Sequence, residues 1–122
     1  MPPEPSILIV DDKADLLDLF SASLRHLRYQ VVTAQDAQAA LDILGQQIPA
    51  LIMLDIAMPS MSGLDVLHQV RANPRFDSTK IMIVTAIPSR MDQQATSMVD
   101  RIIPKPVTPG ALEQAVIDLI GR

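Results

Sequence analysis

Four aliphatic runs in this chain each break off at a polar residue, and that pattern constrains most of what the chain can fold into. Ile7-Leu8-Ile9-Val10 delivers the pair Asp11 and Asp12, and Ala50-Leu51-Ile52-Met53-Leu54 ends in Asp55. Ile81-Met82-Ile83-Val84 stops at Thr85, and a fourth short run ends in Pro104-Lys105-Pro106. Apolar runs this short, without alternation, fit strands buried on both faces, as in a parallel sheet covered by helices. In such sheets ligands bind outside the carboxyl ends of the strands, which is where these polar residues would stand. Three carboxylates, a hydroxyl and an ammonium suit a magnesium ion and a phosphoryl group.

Between the runs the spacing turns helical. Leu16, Leu17, Phe20, Leu24 and Leu27 share one face, with Asp15 and Asp18 in or near the first turn. Val31-Val32-Thr33 reads as a short strand, after which Asp36 can cap a helix carrying Ala37, Ala40, Leu41 and Leu44, with Gly45 to end it. Gly63 to Val70 forms a third amphipathic stretch through Leu64, Leu67 and Val70, stopped by Asn73-Pro74. Beyond Ser89, Met91, Ala95, Met98 and Val99 predict a fourth helix, and Arg101 to Ile103 a fifth strand. Thr108 and Pro109 suit the N-cap and N1 positions of a last helix with Leu112, Val116, Leu119 and Ile120 inward. Strands alternating with helices give a doubly wound α/β fold.

Composition narrows the function. At 122 residues the chain is one domain, 1–122, with residues 1–5 expected to be a flexible start. No cysteine means no disulfide, thiolate ligand or thiol nucleophile. No apolar run is long enough to span a bilayer and no signal-peptide pattern opens the chain, so a cytoplasmic protein is expected. The net charge of −4, scattered Lys and Arg, and three aromatic residues (Phe20, Tyr29, Phe76) argue against a nucleic-acid partner. Met58, Met61, Met82, Met91 and Met98 are expected to fill core or groove, and His26 and His68 to lie on the surface.

The site chemistry follows from charge. Three adjacent carboxylates repel one another unless a cation is supplied; Mg²⁺ together with Lys105 would return the cluster to neutrality. Magnesium takes oxygen ligands and uses one or two carboxylates plus phosphate, so Asp12 and Asp55 are expected as direct ligands, with Asp11 acting through water. Asp55 is the expected nucleophile, while Lys105 would pair with one phosphoryl oxygen and Thr85 would hydrogen-bond another.

With these residues in place, the chain resembles the receiver domain of two-component response regulators over nearly its whole length. In that family two acidic residues follow the first strand and a phosphate-accepting Asp ends the third; a Ser or Thr ends the fourth and a Lys-Pro pair follows the fifth. Asp11 and Asp12, Asp55, Thr85 and Lys105-Pro106 fill those places. The resemblance implies a five-stranded parallel sheet in order 2-1-3-4-5 with helices on both faces, and a cis bond before Pro106 that aims Lys105 into the site. It also implies the Ala57 backbone carbonyl as a metal ligand, with Mg²⁺ (or Mn²⁺ in its place) as cofactor. A histidine kinase or histidine phosphotransfer protein would be the donor, docking near Ala14, Leu17 and Asp18. The domain would assist its own phosphorylation and dephosphorylation and turn over no separate substrate.

Two other readings share parts of this pattern. A haloacid-dehalogenase-like aspartyl-phosphate hydrolase also uses a strand-end Asp but needs a second Asp two residues later, where this chain has Ala57. A flavodoxin-like binding module needs a Gly-, Ser- and Thr-rich phosphate loop after the first strand, where Asp11-Asp12-Lys13-Ala14-Asp15 would repel phosphate.

The chain departs from the family where output is read. Family members commonly carry an aromatic residue three positions before the Lys, and here that position is Ile102. Switching would then run through Thr85, residues 86 to 89 and repacking of Ile102, and would change a face carrying Arg90, Gln94 and Arg101. Met98-Val99 stands where a Gly often closes the fourth helix.

Overall fold

The computed structural model describes residues 6–58 and 63–121. The expected flexible start at residues 1–5 and the assignment of Met61 lie outside the described residues. Strands β1 (Ser6–Val10), β2 (Gln30–Ala34), β3 (Leu51–Leu54), β4 (Lys80–Thr85) and β5 (Arg101–Pro104) alternate with helices α1 (Ala14–His26), α2 (Ala37–Leu44), α3 (Gly63–Ala72), α4 (Gln93–Ser97) and α5 (Pro109–Ile120). All pairings are parallel and the order is β2-β1-β3-β4-β5, as expected.

The continuous apolar runs have a simple cause. Leu8, Val10, Ile52, Leu54, Ile81 and Ile83 join one core with residues of α2 and α3. Their neighbours Ile7, Ile9, Leu51, Met53, Met82 and Val84 join another with α1 and α5. Side chains alternate between the faces, both faces are covered, and neither calls for polar residues.

Most local signals act as read. Asp36 accepts the Ala39 N–H at 2.7 Å and Thr108 Oγ1 the Ala111 N–H at 3.1 Å, with Pro109 in the first turn of α5. Asp15 lies in the first turn of α1, whereas Asp18 lies past it. That helix closes through Arg28, which holds a φ of 72° while the Tyr29 N–H returns to the Leu24 carbonyl at 3.2 Å. Gly45 ends α2 in right-handed geometry (φ −69°), so its glycine freedom is not what stops the helix.

The fourth helix is a correction. Instead of running from Ser89 to Val99, the segment makes one 3₁₀ turn at Pro88–Arg90, and α4 is only Gln93–Ser97, with Ala95 its one buried residue. Asp92 accepts the Ala95 N–H at 2.7 Å, and an N-cap holds an extended backbone that separates it from the turn before it. The helix ends by tightening, with the Met98 N–H on the Ala95 carbonyl at 3.0 Å, before Asp100 donates to Ile81 in the sheet. Met91, Met98 and Val99 still pack against the core, but from the flanking segments. Among the described residues no helix is long and apolar enough to cross a membrane.

Candidate functional site

Strand register assembles the site. Val10 pairs with Leu54 and Leu54 with Ile83, so the residues that follow β1 and β3 emerge side by side. The Asp55 N–H extends this ladder to the Val10 carbonyl at 3.0 Å. Asp11, Asp12 and Asp55 each offer a carboxylate oxygen, and these oxygens all lie within 4.8 Å of one another. On the other side Thr85 pairs with Pro104, and the Lys105 N–H donates to the Thr85 carbonyl at 2.8 Å. The Lys105-Pro106 bond is cis, as expected. Lys105 Nζ stands 2.6 Å from Asp11 Oδ2 and 3.2 Å from Asp55 Oδ2. Only 12 % of the lysine side chain and 5 % of each of these two carboxylate side chains are exposed.

The remaining oxygens are placed by main-chain donors. The Lys13 N–H donates to Asp11 Oδ1 at 2.9 Å and the Ala57 N–H to Asp55 Oδ1 at 2.9 Å. Asp12 differs, because its Oδ1 is buried and has no hydrogen-bond partner among the described residues. A desolvated carboxylate oxygen without a donor is costly unless a cation comes to it. Three convergent carboxylates with one such orphaned oxygen form a hard oxygen donor set that fits Mg²⁺.

Lys105 keeps its charge here. Burial alone would lower its pKa, but the hydrogen bond to Asp11, the charges of Asp11 and Asp55 and the hydrogen bond to Asp55 outweigh that and raise it above the ordinary 10.5. Thr85 is fully buried and its Oγ1 accepts the Ile87 N–H at 3.1 Å, which leaves the hydroxyl proton free to be donated elsewhere.

The residues expected to carry output make none of these site contacts. Arg90 and Arg101 are exposed, Arg101 reaching Asp118 at 3.4 Å, and Ile102 is partly buried against the core that holds Ala95. His26 and His68 are exposed, as expected. Of the docking residues expected on α1, Ala14 and Asp18 are exposed but Leu17 is buried, because it points into the core with Phe20 and Leu24.

Gly63, legible in the sequence only as the start of an amphipathic stretch, has a structural meaning that spacing does not convey. It opens α3 directly against the segment that leaves β3: a Cβ on it would lie 2.2 Å from the Asp55 carbonyl oxygen and 2.8 Å from Ile56 Cα. Only a hydrogen at that position lets the helix sit there.

Comparison with known proteins agrees with this geometry. The family model described as response regulator receiver domain matches residues 7–117. The chain is 33 % identical over 117 residues to the probable transcriptional regulatory protein TcrX of Mycobacterium tuberculosis, covering 93 % of this chain and 47 % of that protein. It is 34 % identical over 105 residues to an uncharacterized 14.6 kDa protein of Leptolyngbya boryana, covering 84 % of this chain and 80 % of that one. It thus spans about half the length of a curated relative such as TcrX. Among solved structures, response regulator protein TrrA of Thermotoga maritima, in complex with Mg(2+)-BeF, is 28 % identical with a TM-score of 0.84 over 94 % of this chain and 98 % of that one. A signal receiver domain from Bermanella marisrubri is 30 % identical with a TM-score of 0.85 over 96 % and 98 %. Sheet order, strand-end carboxylates and family match converge, and the chain belongs to the response regulator receiver domain family.

Proposed function

We propose that this receiver domain accepts a phosphoryl group on Asp55 from the phosphohistidine of a histidine kinase or histidine phosphotransfer protein, in the cytoplasm, and turns over no separate substrate. The observation that carries this reading is the Lys105 ammonium held between Asp11 and Asp55, beside the orphaned oxygen of Asp12. Asp12, Asp55 and the Ala57 carbonyl would hold Mg²⁺, or Mn²⁺ in its place, with Asp11 acting through water. When bound, the ion supplies the charge that lets a dianionic phosphoryl group approach three carboxylates.

The chain's own groups do the rest. An Asp55 oxygen attacks phosphorus as the bond to the donor imidazole nitrogen breaks, so positioning matters more than acid-base chemistry. The Ala57 N–H fixes the rotation of the Asp55 carboxylate before the reaction. Lys105 is closer to Asp11 than to Asp55, so it can exchange its Asp55 contact for a phosphoryl oxygen while Asp11 retains it. Thr85 donates its free hydroxyl proton to a second oxygen, drawing the segment after β4 with it. Incubation with acetyl phosphate, with and without Mg²⁺, followed by mass mapping tests the reading: the adduct is expected on Asp55 and only with metal. Modification elsewhere, or equal modification in a chelator, would refute it.

Two further outcomes belong to this reading. Ala57 and Ile87 stand two residues after Asp55 and Thr85, and neither side chain can orient an attacking water, so the phosphorylated state is expected to be long-lived. Ala57→Asn should speed its hydrolysis by on the order of tenfold or more, and an unchanged rate would count against the argument. The output change is expected in residues 86 to 104, because Ala86 to Arg90 are exposed, α4 is short and Ile102 packs against its side of the sheet. Amide exchange there should differ with and without beryllofluoride. Identical exchange would defeat the idea.

A further inference from the structure

Between α1 and the turn after β5, Leu16, Phe20, Ala86, Lys105, Pro106 and Val107 line an open groove of about 270 Å³. Its lining is apolar except for Lys105, whose methylene stem can face an apolar group while the ammonium stays with Asp11 and Asp55. Groove and acceptor carboxylate therefore share one side chain, whose Nζ is 3.2 Å from Asp55 Oδ2. Ala86 directly follows the buried Thr85 and contributes only a methyl group, which leaves that side of the groove open. With Mg²⁺ bound the three carboxylates and Lys105 sum to zero charge, so a space that is apolar along its length and ends at the Lys105 ammonium admits an apolar group attached to the phosphoryl anion. Size permits an aromatic ring, since a cavity of about 150 Å³ lined by apolar side chains suffices for benzene.

We infer that this groove receives the acyl portion of acyl phosphates, so that Asp55 takes its phosphoryl group faster from a donor with a bulky apolar acyl group than from one with an acetyl group. The inference rests on Asp55 being the acceptor. In the step itself an Asp55 carboxylate oxygen bonds to phosphorus as the bond from phosphorus to the acyl oxygen breaks. The electron pair leaves with the released carboxylate, and no proton, oxidant or reductant is required.

Benzoyl phosphate and acetyl phosphate offer the same phosphoryl group to the same acceptor, so the ratio of their second-order labelling rates isolates the groove. The rates are measured on the full chain in excess Mg²⁺ by intact mass. In the wild type, benzoyl phosphate is expected to saturate and free benzoate to compete with it. Ala86→Leu, which fills the groove, and Val107→Asp, which makes it polar, are each expected to lower the benzoyl-to-acetyl ratio about tenfold. A variant that folds poorly slows both donors and leaves the ratio where it was, so loss of fold cannot imitate the expected result. A ratio unmoved by both substitutions overturns the inference. So does an unmoved ratio accompanied by slower transfer from a phosphohistidine protein, which would make the groove a protein-docking surface instead. If neither donor labels Asp55 in the wild type, the acceptor reading itself falls, a result distinct from labelling by both donors without discrimination.

Discussion

Gly63→Ala is expected to cost about 3 kcal/mol of stability, a fall in Tm on the order of 10 °C, although alanine is the better helix former. The added methyl would sit 2.2 Å from the Asp55 carbonyl oxygen, 2.8 Å from Ile56 Cα and 2.9 Å from the Asp55 carbonyl carbon. All three are main-chain atoms of the segment leaving β3, so no side chain can turn aside, and either α3 lifts or the Asp55 peptide shifts. Intrinsic propensity favours Ala over Gly by about 1 kcal/mol, which gives the two effects opposite signs. The site should suffer as well, because Asp55 must stay in register with Asp11 and Asp12. A displacement approaching 1 Å slows a positioned reaction by about a hundredfold. Thermal unfolding, together with Asp55 labelling by acetyl phosphate well below the variant's Tm, tests both parts. A Gly63→Ala protein as stable and as readily labelled as the wild type would mean that α3 does not bear on the segment carrying Asp55 in this way.

Lys105→Met keeps most of the side chain's volume and removes its charge. In metal-free solution at neutral pH it is expected to cost about 3 kcal/mol, because Asp11 and Asp55 lose their shared cation in a site with little access to water. Added Mg²⁺ should narrow the gap between wild type and variant by supplying positive charge to the same carboxylates. Labelling of Asp55 should nevertheless remain slower by about 10²–10³, since no cation then meets the phosphoryl oxygen that Lys105 would take. The pH dependence has a definite sign. The folded-state pKa of Lys105 is raised above 10.5, so its contribution is complete below 10.5 and is lost as pH climbs through the raised value. The metal-free stability gap should therefore hold steady from neutral pH to about 10.5 and close only above it. Chemical denaturation of both proteins across that range is the measurement. A gap that closes near neutrality, or that Mg²⁺ leaves unchanged, would contradict the assigned role.

Legibility in the sequence followed the range of the interactions. Asp36, Thr108 and Pro109 act on residues three or four positions away, and their capping roles can be read from neighbouring letters alone. The segment from Ser89 to Val99 misled because Met91, Ala95, Met98 and Val99 do face the core, yet face it from a 3₁₀ turn, a cap and a strand approach as well as from α4. Spacing reports which side is apolar and not whether the backbone between is helical. Leu17 carried two signals: its spacing with Phe20 and Leu24 marks the apolar face that the core buries, and that packing withdraws it from the docking surface where Ala14 and Asp18 remain exposed.

What the residues alone determined is the α/β architecture and the inventory of the site. Apolar runs that end in Asp, Thr and Lys and alternate with amphipathic helical stretches fit burial between two helical layers, and in a parallel sheet their polar ends then gather at one edge. What tertiary structure decided is which oxygen meets which partner. Lys105 between Asp11 and Asp55 and Gly63 against the Asp55 carbonyl join atoms from separate segments, and the orphaned oxygen of Asp12 is left where no donor among the described residues reaches it. Contacts of that kind are set by strand register and helix packing over distances that no local pattern encodes.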